Sequence, residues 1–184
     1  MTVLRNSDHR RMPWKNGGGE TVEIAVFPAD ASIETFGWRI SMASVQTDGP
    51  FSVFPGVDRT LSILDGHGMV LDISGRAPVT LTADDAPHAF PADAATEATL
   101  VDGAITDLNI MTRRGAFAHA VERRMVDGTT EVKRQGGTLM LLSLGDVQVG
   151  PVRLARLDAM RLDGDVKVRA DEPVTVYLIR IDAV

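Results

Sequence analysis

The sequence predicts an all-β protein built from two barrel-like halves. Apolar residues mostly alternate with small or polar ones, as in Trp38–Val45, and other apolar runs are short and β-branched, as in Val174–Ile179. Turn signals separate these runs at close intervals, among them Pro55-Gly56, Asp65-Gly66 and Asp127-Gly128. Short strands between frequent turns are typical of a sandwich or a barrel.

One segment also fits a helix. Phe117, Val121 and Met125 lie four residues apart, as on one face of an α-helix, but the same three residues also fit a period of two. Because the neighbouring segments are β-like, we expect Phe117–Met125 to form a strand.

An internal repeat supports the idea of two halves. Thr60–Leu64 is similar to Thr138–Leu142, and Pro78–Leu81 is similar to Pro151–Leu154. The offset between the copies drifts from 78 to 73 residues, which small loop deletions explain. Chance similarity between two amphipathic β segments is the alternative. A true duplication predicts two β-barrels in tandem.

The predicted boundary lies near Arg114 and Gly115. Residues 1–114 would form a larger N-terminal barrel with the ligand pocket, and residues 115–184 a smaller barrel packed tightly against it. Eight of the nine aromatic residues lie at or before Phe117. Since aromatic side chains often form the apolar walls of ligand pockets, the first half is the expected binding half.

Composition excludes several classes of protein. The chain has 184 residues, no cysteine and a formal net charge of −6, from 19 Lys and Arg against 25 Asp and Glu. The lack of cysteine excludes disulfides and thiol nucleophiles, and the acidic balance argues against nucleic-acid binding. No apolar run approaches the ~20 residues of a membrane helix, and the polar N-terminus lacks the apolar core of a signal peptide. We therefore expect a cytoplasmic protein with no nucleic-acid or membrane partner.

The first candidate site is the segment Met12–Thr21, which contains Trp14-Lys15-Asn16 followed by three glycines. Consecutive glycines permit positive φ and a close approach of other groups. The Gly-Lys-Ser/Thr ending of a phosphate-binding P-loop is missing. The segment is either a tight loop in which Trp14 plugs a barrel end or a loop whose Lys15 or Asn16 contacts a ligand.

Two arginines stand on strands that otherwise look covered. Arg39 and Ser41 share one face of Trp38–Val45, and Arg59 begins a strand directly after a Pro-Gly turn. A covered guanidinium needs acceptors, because an unpaired buried charge costs several kcal/mol. For Arg39, an internal carboxylate and a ligand remain equal alternatives. Arg59 is the strongest single ligand candidate, and Phe51 either flanks its pocket or fills the core.

A third strand carries polar residues in line. Alternation places Asp107, Asn109, Met111 and Arg113 on one face, which is either solvated or lines a polar cavity. No pair of the four histidines has metal-ligand spacing, so we expect no metal. No nucleophile motif is present, and we assign no catalytic residue; the histidines are His9, His67, His88 and His119.

Taken in order, several of these segments make the chain resemble the HutD/Ves family. The specific ones are Trp-Lys-Asn-Gly-Gly-Gly at Trp14–Gly19 and Asp-Leu-Asn-Ile-Met-Thr-Arg at Asp107–Arg113. Trp38–Val45, Gly49–Leu61 with Leu64–Met69, and Ala89–Pro91 followed by Leu100–Arg114 are consistent with it. The resemblance implies a bicupin, with two germin-like double-stranded β-helix (RmlC-like) barrels in tandem. It also implies a link to histidine utilisation, which some members are thought to limit, and no settled enzymatic activity.

The sequence departs from metal-binding cupins in one respect. Those proteins place a His-x-His pair before the glycine turn, whereas Pro55–Leu64 contains no histidine and has Arg59 instead. The resemblance together with this departure implies an anion site without cofactor, because guanidinium groups bind carboxylates with two hydrogen bonds.

Two functions follow as hypotheses. The first is a non-catalytic protein that binds a small carboxylate, such as formylglutamate or urocanate, and modulates histidine utilisation. Arg39 and Arg59 would hold the carboxylate, Ser41 and Asn109 would add hydrogen bonds, and Trp14 with Phe51 would close the apolar wall. The alternative is a metal-independent isomerase or hydrolase that uses a carboxylate base; the candidates are Glu20, Glu23 and Asp107. A homodimer through a sheet edge stays open.

Overall fold

The computed structural model describes residues 1–184 and confirms the all-β prediction. Seventeen strands and one short 3-10 helix, Asn6–Asp8, make up the chain, and no helix is long and apolar enough to cross a membrane. The strands are β1 (Thr2–Leu4), β2 (Arg10–Pro13), β3 (Gly19–Phe27), β4 (Trp38–Val45), β5 (Gly49–Pro50), β6 (Val57–Asp65), β7 (Met69–Ile73), β8 (Val79–Leu81), β9 (His88–Pro91), β10 (Thr96–Leu100), β11 (Ile105–Arg113), β12 (Phe117–Val132), β13 (Thr138–Ser143), β14 (Val147–Val149), β15 (Val152–Leu154), β16 (Ala159–Leu162) and β17 (Val166–Ala183).

One compact unit comprises residues 10–118 and contains two antiparallel sheets. The six-stranded sheet has the order β2-β3-β4-β11-β6-β9, and the four-stranded sheet has the order β5-β10-β7-β8. Leu61 and Ile63 of the first sheet pack in one apolar core with Met69 and Leu71 of the second. The central strands β4, β6 and β11 are buried on both faces, so the polar side chains that alternate along them are buried as well.

A glycine turn connects β6 to β7 within this unit. Gly66 and Gly68 have φ values of 89° and 100°, which glycine adopts without the steric cost that a Cβ brings. A Cβ on Gly68 would also collide with the backbone carbonyl of Leu81. The sharp turn therefore depends on glycine at both positions.

The other compact unit comprises residues 1–9 and 119–184. It forms one seven-stranded sheet with the order β1-β16-β13-β17-β14-β15, and β12 also pairs with β17. Its core is aliphatic and includes Leu139, Leu141, Leu154 and Met160. Phe117–Met125 lies in strand β12, as the sequence predicts.

The two units divide between residues 118 and 119, four residues beyond the predicted boundary. The first nine residues, which we expected in the N-terminal unit, lie in the unit of the C-terminal segment. They belong with the C-terminal segment because β1 pairs antiparallel with β16, Val3 opposite Met160. The repeated segments occupy matching elements. Thr60–Leu64 lies in β6 and Thr138–Leu142 in β13, and each is followed by an antiparallel hairpin, β7-β8 or β14-β15.

Candidate functional site

A row of buried polar side chains crosses the middle of the six-stranded sheet. On β11, Met111 lies between Arg39 of β4 and Arg59 of β6, and the next pair along the same face sets Asn109 beside Ser41. Asp107 follows on that face. This is the face that carries Leu61 and Ile63 into the core. We call the set the polar row; its members are Arg39, Ser41, Arg59, Asp107 and Asn109, and each is at most 9% exposed.

Arg59 has aromatic neighbours and no hydrogen-bonded carboxylate. Its guanidinium carbon lies 5.2, 5.3 and 5.8 Å from the ring centroids of Phe51, Phe54 and Phe90. One terminal nitrogen lies 3.8 Å from the sulfur of Met111, and the buried Nε has no partner. Burial lowers the pKa of Arg59 to about 10, with Arg39 adding to the effect and Asp107 opposing it. The guanidinium is thus held by rings and retains unused donors.

Arg39, in contrast, has an internal partner. Its Nε donates to Oε2 of Glu23 at 2.7 Å, and both side chains are largely buried. Of the two alternatives for Arg39, the structure contains the internal salt bridge. A bulge between Glu23 and Ala25 sets the register that brings Glu23 opposite Ser41. Of the three guanidinium nitrogens of Arg39, only Nε bonds to Glu23.

Asp107 is the buried acid of the polar row. It is 1% exposed, and its Oδ1 accepts a hydrogen bond of 2.6 Å from Nδ2 of Asn109. Burial raises the pKa of Asp107 to about 7, while Arg59, the backbone N–H of Ala43 and Asn109 act in the opposite direction. The polar face of β11 is therefore buried rather than solvated. A carboxyl group in this state can hold or release a proton near neutral pH.

The glycine loop lies outside the polar row. The indole of Trp14 packs on the core of the unit, and its Nε1 donates to Oγ1 of Thr21 at 2.8 Å. Oδ1 of Asn16 accepts from the backbone N–H of Gly18 at 3.0 Å, so the loop is an Asx-type turn. Lys15 and Asn16 are exposed, whereas the polar row is buried. Trp14 therefore packs on the core of the unit, while Lys15 and Asn16 lie in an exposed turn.

Two contacts of the site were absent from the sequence interpretation. Phe90 stands opposite Arg59 because β9 pairs with β6, and Glu23 reaches Arg39 because of the bulge in β3. The sequence signal for Phe90 is the alternation His88-Ala89-Phe90-Pro91, which places an aromatic ring on the inner face of a short strand. No comparable local signal identifies the partner of Arg39.

The fold is cupin-like. It matches a cupin 2 conserved barrel domain protein from Leptotrichia buccalis with a TM-score of 0.59 over 88% of each chain, at 13% identity. At that level of identity the match shows the fold alone.

The chain belongs to the HutD family, whose sequence model matches residues 6–178. The chain is 33% identical over 171 residues to a 21.2 kDa protein encoded in the hutC 3′ region of Pseudomonas putida, covering 90% of this chain and 88% of that one. It is 40% identical over 148 residues to protein Ves of Citrobacter koseri, covering 78% and 74% of the two chains. The structure of HutD from Pseudomonas fluorescens SBW25 matches with a TM-score of 0.86 at 32% identity, covering 100% and 98%.

Proposed function

We propose that the chain binds a small organic carboxylate at the polar row and acts as a non-catalytic modulator of histidine utilisation. The observation that carries this proposal is Arg59, a buried guanidinium among three phenylalanine rings with no carboxylate bonded to it. Burying a charge without an acceptor is costly, and proteins ordinarily pair such a group. A ligand carboxylate would supply the missing acceptor.

The surroundings of Arg59 suit a carboxylate better than a metal ion. The guanidinium carbon lies within 6 Å of three phenylalanine ring centroids, and the buried Nε–H has no acceptor. A carboxylate accepts two hydrogen bonds from such a guanidinium, whereas a metal ion is repelled by its charge. No group of three or more His, Asp and Glu side chains in residues 1–184 is placed to hold a metal ion. Ser41 and Asn109 would add neutral hydrogen bonds, and the nitrogens of Arg39 that Glu23 does not use would add further donors.

The family supports the choice of candidate ligands. A relative is encoded beside hutC, and the Pseudomonas fluorescens HutD structure was determined in a formate condition. Formate is the smallest carboxylate, and formylglutamate and urocanate are larger carboxylates of histidine breakdown. Phe51 would form the nearest apolar wall, with Trp14 closing the same core farther along the sheet.

We also propose that the two units are two cupin-type barrels derived from one duplication, as in a bicupin. Each unit has its own apolar core, and β6-β7-β8 in one corresponds in order and pairing to β13-β14-β15 in the other. Eight of the nine aromatic residues and the buried arginines Arg39 and Arg59 lie in the unit of residues 10–118, which would therefore hold the carboxylate.

Thermal unfolding with and without ligand tests the binding proposal. Formate, formylglutamate and urocanate are compared, and a ligand at about 100 times its Kd should add about 2.7 kcal/mol to the free energy of unfolding. Arg59→Gln should abolish the shift and Arg59→Lys should weaken it, because lysine keeps the charge without the two-pronged geometry. Arg153→Gln, which removes an exposed arginine of the other unit, should bind normally. Equal binding by R59Q, or no shift with any carboxylate at millimolar concentration, would refute the proposal.

A second candidate function, a metal-independent isomerase or hydrolase, is favoured by Asp107. Of the three candidate bases, Glu20 is paired with Arg11 and Glu23 with Arg39, whereas Asp107 is buried with its pKa raised to about 7. A base of that pKa suits proton transfer at neutral pH. Incubation of formylglutamate and urocanate with the protein, followed by proton NMR, tests this function. Turnover that Asp107→Asn abolishes would support it, and unchanged substrate would reject it.

A further inference from the structure

The unit of residues 1–9 and 119–184 contains a cleft that the proposed function does not use. The cleft has a volume of about 340 Å³ and is lined by β12, β13 and β17. Its lining is mixed: Val121, Val132, Leu139 and Leu178 form an aliphatic part, and the other lining residues are mostly charged or polar. This volume lies within the range of small-molecule sites.

Arg180 is the charged side chain of the cleft without a partner. It lies opposite Leu139 in the pairing of β17 with β13, on the face that carries Leu139 and Leu178 into the aliphatic core. Its Nε is buried and has no hydrogen-bond partner, and no carboxylate pairs with its guanidinium. A partly buried guanidinium beside aliphatic walls is the arrangement that accepts a carboxylate.

The remaining charges of the cleft largely neutralise one another. Arg124 binds both carboxylate oxygens of Glu122, at 2.7 and 2.8 Å. Lys133 lies 3.9 Å from Glu131, and both of those side chains are more than half exposed. Arg180 is therefore the surplus positive charge, and the cleft has a net attraction for one negative group.

The internal repeat relates the position of Arg180 to the polar row. Leu139 corresponds to Leu61 in the repeated segments. The residue opposite Leu61 on β11 is Asn109, a member of the polar row, and the residue opposite Leu139 on β17 is Arg180. Both units thus place a polar side chain at the same register position of the same sheet face.

We propose that this cleft is a second ligand site, which binds a short aliphatic carboxylate through the guanidinium of Arg180. The carboxylate oxygens accept hydrogen bonds from the guanidinium of Arg180, and the hydrocarbon part of the ligand lies against Val121, Val132 and Leu178. The lining contains no aromatic residue, so an unbranched or singly branched alkyl chain fits it better than a flat ring. The site is separate from the polar row and stands whether or not the polar row binds a ligand.

Amide NMR spectra of the full chain titrated with valerate test the site. Valerate should shift signals of β12, β13 and β17 around the cleft, whereas valeramide, which lacks the charge, and pentylamine, which reverses it, should not. Arg180→Gln should weaken binding by about tenfold or more, the loss of a charge-assisted hydrogen bond. Arg180→Lys should weaken it less. Arg169→Gln removes an exposed arginine of the same strand that lies outside the cleft and should leave the affinity unchanged.

The controls separate this site from the one at Arg59. Arg59→Gln should leave the valerate shifts of the cleft in place, even if it abolishes binding in the other unit. Shifts confined to β4, β6 and β11, equal valerate affinity in R180Q and the unaltered chain, or no shifts at tens of millimolar valerate would each overturn the proposal. Thermal unfolding of R180Q and R180K checks that both variants are folded.

Discussion

The buried carboxyl of Asp107 makes a quantitative prediction about how stability depends on pH. Burial raises its pKa from 3.8 to about 7, so the folded protein binds this proton more tightly than the unfolded chain does. The stability contributed by protonated Asp107 is fully present below about pH 4 and is lost as the pH rises toward about 7. At 1.36 kcal/mol per pKa unit, the whole loss amounts to about 4 kcal/mol.

Asp107→Asn removes this titration while keeping the size of the side chain. The free energy of unfolding of D107N relative to the unaltered protein should therefore rise with pH. Between about pH 5 and about pH 8 the rise should be about 3 kcal/mol, because part of the loss has already occurred by pH 5. Urea unfolding at several pH values measures it. Replacing one carboxylate oxygen by an amide nitrogen has a cost that does not depend on pH. This cost shifts the unfolding free energy of D107N by the same amount at every pH and leaves its slope against pH unchanged.

Asp72→Asn is the matched control, since Asp72 is an exposed carboxylate on β7 of the same unit. The difference between D72N and the unaltered protein should stay nearly constant over the same pH range. A constant difference for D107N, or one that falls as the pH rises, would refute the argument that burial of Asp107 destabilises the folded state at neutral pH.

Three other tests probe the same unit. Glu23→Ala leaves buried Arg39 without its acceptor and should lower the free energy of unfolding by about 3 kcal/mol. E23Q keeps an acceptor oxygen and should cost less. Equal urea midpoints for E23A and the unaltered protein would contradict this. Gly68→Ala should destabilise by at least about 2 kcal/mol, since the Cβ meets strand β8, whereas Gly75→Ala, with open space around it, should cost less. If the polar row binds a carboxylate, calorimetry near neutral pH in buffers of different ionisation enthalpy should detect proton uptake, because a second negative charge favours protonated Asp107; no buffer dependence would contradict this coupling.

The strands that carry the site could be predicted because alternation in a strand fixes which residues share a face. Arg39 and Ser41, and likewise Asp107 and Asn109, lie two residues apart and therefore face the same way wherever the strand is placed. Pairing of β4 with β11 then brings the two sets together. The sequence also favoured burial of Arg39, because its strand is apolar on both faces, and the structure agrees at 6% exposure.

The partners of these side chains could not be predicted from local patterns. Glu23 reaches Arg39 only through a one-residue bulge, and a shift of one residue moves a side chain to the opposite face of a sheet. The placement of residues 1–9 with the C-terminal segment likewise depends on a pairing of β1 with β16 across more than 150 residues. Lys15 and Asn16 follow one another in a turn, where alternation does not apply, and only coordinates show that they are exposed.

The two units differ in which polar side chains they bury, and this difference bears on function. In the unit of residues 10–118, one sheet face combines two arginines and an acid whose burial costs stability at neutral pH. An apolar core of the same volume would avoid that cost, and proteins that break packing rules in this way usually do so at functional sites. The other unit has an aliphatic core with Arg180 as the polar side chain at the corresponding register position. If both halves descend from one ancestral barrel, a polar side chain at this register position predates the duplication, whereas the aromatic rings around Arg59 are particular to the unit of residues 10–118.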